Sequence, residues 1–447
     1  MTTVTDGVRA EVRRRLADPL LRSAYSLILN VVVTSVLGLG FWIAAARMFA
    51  PSTVGRDGAL VSAMILVSTI CAMNLGSAIL RFLPISKLDP ARVVLGAYAA
   101  TLLVSGVGAT AFVLVAPRVS VGFSFLAHDT RLAVVYVLAV TAWGVFALQD
   151  AVLTALRRAP WIPLENAVFG VLKIAALPIL LAAGSLHAVF IAWVIPVVLL
   201  LLPVNYLIFS RAIPGRPDVS GEPSPIERFG RRGLASVLAN DNVATIFIQA
   251  STTLLPVLVV ALLGSSQGAF FYMPFTIISA FDLLFINVAA SMTVEASMAG
   301  DRLPELARAT VRRFGGVLVA GVLVVVAGAG VILLPFGSAY VDGGGALLRL
   351  LACTSVFRAI IGLYSAICRV QGRAERVLAV QASVFVLVVG LTVLGRSHGL
   401  GGVGLAWLVA NGLVACAVTP ATVRILRRPT GRRRTPASTL SLQPDHY

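Results

Sequence analysis

Apolar runs about twenty residues long alternate with short polar breaks along almost the whole chain. A helix needs about 20 predominantly apolar residues to cross a bilayer. Runs of that kind fall at roughly 24–46, 58–83, 93–116, 132–156, 163–184, 186–209, 234–262, 267–295, 315–337, 347–369, 377–395 and 401–424. The pattern predicts an all-α polytopic membrane protein of about 12 transmembrane helices. The longest interior break, SRAIPGRPDVSGEPSPIERFGRR, carries Pro, Gly and charge and excludes a continuous helix. It divides the chain into a basic segment 1–23, a six-helix bundle 24–209, a linker 210–233, a second six-helix bundle 234–424 and a basic tail 425–447 expected to be disordered.

The second half echoes the first. Asn74 and Asn287 are 213 residues apart, each late in an apolar run; Arg157 and Arg369, each ending a span, are 212 apart. The pair Ala192–Trp193 returns as Ala406–Trp407 after 214 residues. Three matches in one order at nearly one offset indicate two similar halves, an arrangement common in transporters. Prolines at 178, 196, 203, 256, 274 and 335 lie in or at the ends of spans. They are either ordinary irregularities that neighbouring helices accommodate or bends that let each half change shape.

Composition supports this reading and excludes a soluble domain: 58% of residues are hydrophobic and 12% charged, against roughly 25% charged in soluble proteins. The formal net charge is +17, which invites a nucleic-acid reading until its placement is considered. With the N-terminus inside, 27 of the 36 Lys and Arg fall in cytoplasmic segments and 6 outside. That is the bias that orients membrane proteins, so no nucleic-acid partner is expected, and membrane lipids are. Both termini are expected in the cytoplasm, in a plasma or inner cell membrane, and no cleavable leader is expected. The cysteines Cys71, Cys353, Cys368 and Cys416 lie in apolar runs and read as buried small hydrophobes.

No enzyme signature, metal-ligand spacing or phosphate loop is present in the sequence, so no catalytic residue, metal or bound cofactor is expected. The histidines His128, His187, His398 and His446 fall in breaks or the tail. The candidates are therefore polar groups within spans, which are costly at membrane depth and usually face protein or a water-filled cavity. Lys173, Asp282 and Arg358 lie near the middle of the fifth, eighth and tenth spans. Asp150 lies about two turns from the end of the fourth. Either Lys173, Asp282 and Arg358 pair structurally or they line a cavity. Arg81, Asp241 and Glu295 sit near span ends, from which long side chains reach the interface. Asn30, Asn74, Gln249 and Asn287 serve either as interhelical hydrogen-bond glue or, for the repeat-related Asn74 and Asn287, as polar substrate contacts.

Three segments carry a resemblance: GFWIAAARMFAPSTVGRDGALVSA, NLGSAILRFLP and ASMAGDRLPELARATVRRF. They resemble the Wzx-type polysaccharide flippases of the multidrug/oligosaccharidyl-lipid/polysaccharide exporter superfamily. The resemblance implies two pseudo-symmetric six-helix bundles facing each other across a central cavity lined by spans one, two, seven and eight. It implies movement of undecaprenyl-diphosphate-linked oligosaccharide from the inner to the outer leaflet. Arg81 and Asp282 are the positions that fit the family's cationic cavity; Lys173 and Arg358 are added from their depth. Together these give Arg81, Lys173, Arg358, Asn74 and Asn287 as candidate substrate contacts, with Asp282 and Asp150 as coupling or counter-charge groups. Partner proteins implied are polysaccharide polymerases or glycosyltransferases, and the driving gradient stays open between H+ and Na+.

Two other functions remain. A cation-coupled multidrug exporter of the same superfamily often uses an acid in its first span, and 24–46 has neither Asp nor Glu. A non-transporting scaffold for cell-wall enzymes would use the basic tails and tolerate loss of the mid-span charges.

Overall fold

The computed structural model describes residues 19–72, 75–85, 88–214, 246–298 and 303–427, with side chains from residue 30 onward except at 81, 85, 290, 294, 297 and 298. The described residues form twelve long helices and no strand. Helix α1 spans Pro19–Met48, and α2 spans Pro51–Cys71 with a continuation at Leu75–Phe82. Next come α3 (Pro90–Val119), α4 (Thr130–Ala155), α5 (Ile162–Ala182) and α6 (Ala188–Leu207). The second half supplies α7 (Ile246–Leu263), α8 (Ser265–Met298) and α9 (Leu303–Leu333). It ends with α10 (Ser338–Val370), α11 (Ala374–Leu394) and α12 (Gly399–Leu426). All are apolar enough and long enough to cross a membrane, α11 and α12 being joined by a short turn at Gly395–His398.

Packing repeats between the halves. Helix α1 packs on α5, α2 on α4, α3 on α4, α4 on α6, and α5 on α6. Adding six to each number reproduces the second half: α8 on α10, α9 on α10, α10 on α12, and α11 on α12. The remaining match, α7 with α11, is made by Phe247 against Phe385, ring centroids 5.5 Å apart. The chain is thus two lobes of six helices with one packing plan.

Three boundaries differ from the sequence reading, each for a local physical reason. Helix α2 begins at Pro51 and not near 58, because the polar Arg56–Asp57 pair is absorbed by protein. Asp57 is fully buried, and its carboxylate accepts from His187 Nδ1 (3.1 Å) and from the Val189 and Phe190 backbone N–H groups (3.1 and 3.3 Å). It caps the N-terminus of α6 from a neighbouring helix. His187, expected in a loop, is buried by this pairing. Helix α9 begins at Leu303 and not near 315. Its first turns are amphipathic, with Leu303 and Ala307 buried while Arg308, Arg312 and Arg313 are not. Helix α10 begins at Ser338 and not near 347, because glycines let its first turns lie close on α8. A Cβ on Gly344 would stand 3.0 Å from the Phe270 carbonyl oxygen. The cysteines also differ: only Cys368 is buried, while Cys353 and Cys416 are exposed on the outer surface of their helices. A lipid-facing position takes apolar residues as readily as a core does.

The lobes meet at one end. On the face away from the chain termini, the starts of α2 and α8 cross in backbone contact. A Cβ on Gly55 would stand 1.8 Å from the Ser265 carbonyl oxygen and 2.6 Å from the Ala269 nitrogen. Trp42 packs on Tyr272 at 4.5 Å, and Arg47 donates to the carbonyls of Pro335 (2.6 Å) and Leu334 (2.8 Å). Ser120 Oγ donates to the Ala261 carbonyl at 3.0 Å. The apolar core on this face draws on both lobes, joining Phe41, Trp42 and Val54 to Phe271 and Leu333. On the face carrying the termini the cores are separate. One, around Leu83, Val152 and Ile208, belongs wholly to the first lobe; another, around Met292, Ala307 and Ile367, belongs wholly to the second. Shared packing at one face and separate packing at the other define a cleft that widens toward the termini.

Candidate functional site

The second lobe holds a cavity of about 410 Å³ that runs from mid-helix toward the terminal face, bordered by all six of its helices. Its charged lining is Asp282 on α8 with Arg358 and Arg369 on α10. Much of the wall is apolar: Phe285 and Ile286 from α8, and Val311, Phe314, Leu318 and Val319 from α9. The far wall is made by Gln381 and Val384 of α11 and by Trp407 and Asn411 of α12.

One polar stripe of the cavity lies on a single helix face of α10. Ser355, Arg358, Gly362, Ser365 and Arg369 all line it, at spacings of three and four residues that stack side chains on one helix face. The stripe covers about 21 Å at 1.5 Å per residue, from mid-helix to the exposed Arg369 at the terminal face. Gly362 has nothing within 4 Å of where a Cβ would lie, so the stripe is open at its centre.

At the deep end Arg358 Nη1 donates to Asp282 Oδ2 at 2.5 Å, with side-chain exposures of 20% and 6%. The guanidinium carbon also lies 5.4 Å from the Trp407 ring centroid. The half-buried guanidinium is therefore compensated twice, by an ion pair and by an aromatic face. Ser355 lies beside the Asp282 carboxylate. The Trp407 indole N–H and the Ser365 hydroxyl are buried on the cavity wall without a hydrogen-bond partner. Asn411 spends its amide on the Trp407 carbonyl at 2.8 Å, and Ser251, Thr252 and Thr310 spend their hydroxyls on backbone carbonyls of their own helices. The lining's cations, Arg358 and Arg369, outnumber its one carboxylate, which suits an oxygen-rich anion.

The other expected residues are dispersed. Lys173 does not share this cavity: it is 4% exposed inside the first lobe. Its ammonium sits 3.9, 4.8 and 5.1 Å from the ring centroids of Trp193, Phe169 and Phe41. Depth alone placed Lys173 and Arg358 together, but α5 and α10 belong to different lobes. The repeat-related Trp193 and Trp407 each face a cation, yet the cations come from non-equivalent helices. Asp150 is half-buried in the first lobe and hydrogen-bonds Asn166. Asn287 is exposed on α8 and is not part of the cavity lining. Asn74, Asp241 and the Arg81 side chain lie outside what the structure describes, so the expected overlay of Asn74 on Asn287 does too. Glu295 is exposed near the end of α8. Sequence reasoning passed over Glu165 in the first turn of α5, which is 6% exposed with neither carboxylate oxygen hydrogen-bonded. It also passed over the α10 stripe, although the spacing of Ser355, Arg358, Ser365 and Arg369 was there to be read.

No protein-family profile and no curated protein sequence matches the chain. Solved structures do. An inward-facing multidrug resistance MATE family transporter of the MOP superfamily matches over 90% of this chain and 98% of its own, at 16% identity and TM-score 0.66. An outward-facing structure of such a transporter matches less closely, over 92% and 96%, at 16% identity and TM-score 0.59. The lipid II flippase MurJ in an inward closed conformation matches over 89% and 90%, at 13% identity and TM-score 0.66. The chain has the fold of the MOP superfamily transporters, two six-helix lobes about a central cleft.

Proposed function

We propose that this protein is a flippase that carries a polyprenyl-diphosphate-linked oligosaccharide from the inner to the outer leaflet for cell-surface polysaccharide synthesis. The observation that carries the reading is the second-lobe cavity, which joins an apolar wall on α8 and α9 to a half-buried guanidinium at mid-helix depth. An amphiphile with an anionic head fits both halves of that surface. The apolar wall accepts its tail, and the arginines offset the cost of taking a phosphate out of water. In this reading the terminal face is cytoplasmic, as its excess of arginine requires, and the substrate enters the cleft from the inner leaflet. Rocking of the lobes about the α2–α8 contact would then expose it to the other side. The fold is shared by multidrug transporters as well as by a lipid flippase. Two features favour the flippase: the described first span contains no carboxylate, and the cavity lining carries two cations against one anion, which would repel a lipophilic cation.

The test is depletion of the protein in its own cells, followed by analysis of lipid-linked intermediates. A polyprenyl-diphosphate oligosaccharide should accumulate and remain inaccessible from outside. Unchanged outer-leaflet delivery, or restored efflux of lipophilic cations as the only effect of re-expression, would overturn the reading.

A further inference from the structure

The cavity of the second lobe contains its own anion. Asp282 takes up one edge of the Arg358 guanidinium. The lining also holds donors without a protein partner: the Trp407 indole N–H, the Ser365 hydroxyl and, three turns along the same helix face, the exposed Arg369. An arginine largely withdrawn from water is destabilising without a counter-charge, and Asp282 supplies one inside the anion site. A transport site also needs to release what it binds, and an internal competitor lowers affinity without removing the charge that attracts the substrate.

We infer that the α10 stripe is a track for a phosphate-bearing head group, met first by Arg369 and ending at Arg358, where the substrate anion displaces Asp282. The inference rests on the flippase reading for the identity of the lipid tail, and on the cavity alone for the head group. Gly362 is the crossing point. Both arginines are on its helix face, and nothing stands within 4 Å of its missing Cβ. A side chain there enters the track from a Cβ that meets no neighbour, and it replaces a poor helix former by a better one.

The experiment uses the purified full-length protein in lipid nanodiscs, titrated calorimetrically with inorganic pyrophosphate and with farnesyl diphosphate. Asp282→Asn keeps the shape of the side chain and removes the competing charge. It should tighten binding of both probes about tenfold or more, the scale of one charged hydrogen bond. Gly362→Phe should weaken both by a similar factor at an unchanged melting temperature. Arg358→Gln should abolish the gain when combined with Asp282→Asn. Because an arginine change could unfold the lobe, Gly362→Phe supplies the independent arm. Unchanged or weaker binding by folded Asp282→Asn, or wild-type binding by folded Gly362→Phe, overturns the track. The two readings fail separately. Equal affinity for the two probes would leave the track and remove the lipid from it. Normal lipid-linked sugar delivery by cells carrying Gly362→Phe would leave the flippase and remove the track.

Discussion

The ammonium of Lys173 stands 3.9 Å from the centroid of the Trp193 ring, in a cage completed by Phe41 and Phe169. Among the described residues no carboxylate pairs with it. Three aromatic faces replace the counter-ion, a desolvated cation–π contact being worth about 2 kcal/mol. The cage lies in the core shared by the lobes, since Phe41 belongs to the cluster that also holds Phe271 and Leu333. Lys173 therefore reads as a structural cation.

That reading is open to measurement. Lys173→Met keeps the stem and drops the charge. It should shift the melting temperature by no more than a few degrees and leave transport intact. Trp193→Ala should cost about 3–5 kcal/mol, as large-to-small core changes do. A folded Lys173→Met that no longer transports would return the residue to the substrate path.

The contact between the lobes can be loosened at one atom. A Cβ on Gly55 meets the Ser265 carbonyl oxygen, so Gly55→Ala forces α2 and α8 apart at a cost of about 1–3 kcal/mol. Ala269, fully buried in this contact, should become reactive in an Ala269→Cys reporter when Gly55→Ala is added. Gly38→Ala, at a site with open space around it, should leave the reporter as protected as before.

Asp57 holds the start of α6 through three acceptor contacts. Asp57→Ala would leave two buried backbone N–H groups and the His187 ring without a partner, and each unsatisfied buried group costs about 1–3 kcal/mol. The variant should lose several degrees of thermal stability or fail to accumulate. Asp57→Asn, which keeps one acceptor oxygen, should recover part of the loss.

Orientation is tested by labelling. Ser220→Cys in the basic linker should react with an impermeant maleimide only in opened cells. Leu186→Cys, in the exposed α5–α6 turn on the opposite face, should react in intact ones. The reverse pattern would invert the topology and place the wide end of the cleft outside.

The hydrophobic pattern determined the class of fold by itself. Backbone groups in a bilayer must be satisfied within each segment, so twelve apolar runs become twelve helices whatever surrounds them. The half-repeat was legible in Trp193 and Trp407 for the same reason: each half solves one packing problem, and a large side chain keeps its place in the solution. Depth along a span was also legible, which is why Arg358 and Asp282 stood out and proved to be a pair. Azimuth was not used, so the Ser355–Arg369 stripe went unread although it is written in the sequence. What only the tertiary structure decided is which lobe and which helix face each polar group confronts. Lys173 and Arg358 share a depth, yet one is enclosed by rings and the other borders a cavity. The burial of Asp57 and His187 was not legible because each finds its partner 130 positions away in sequence. A single span carries no information about its neighbours, and in a membrane the neighbours determine whether a charge is solvated, paired or caged.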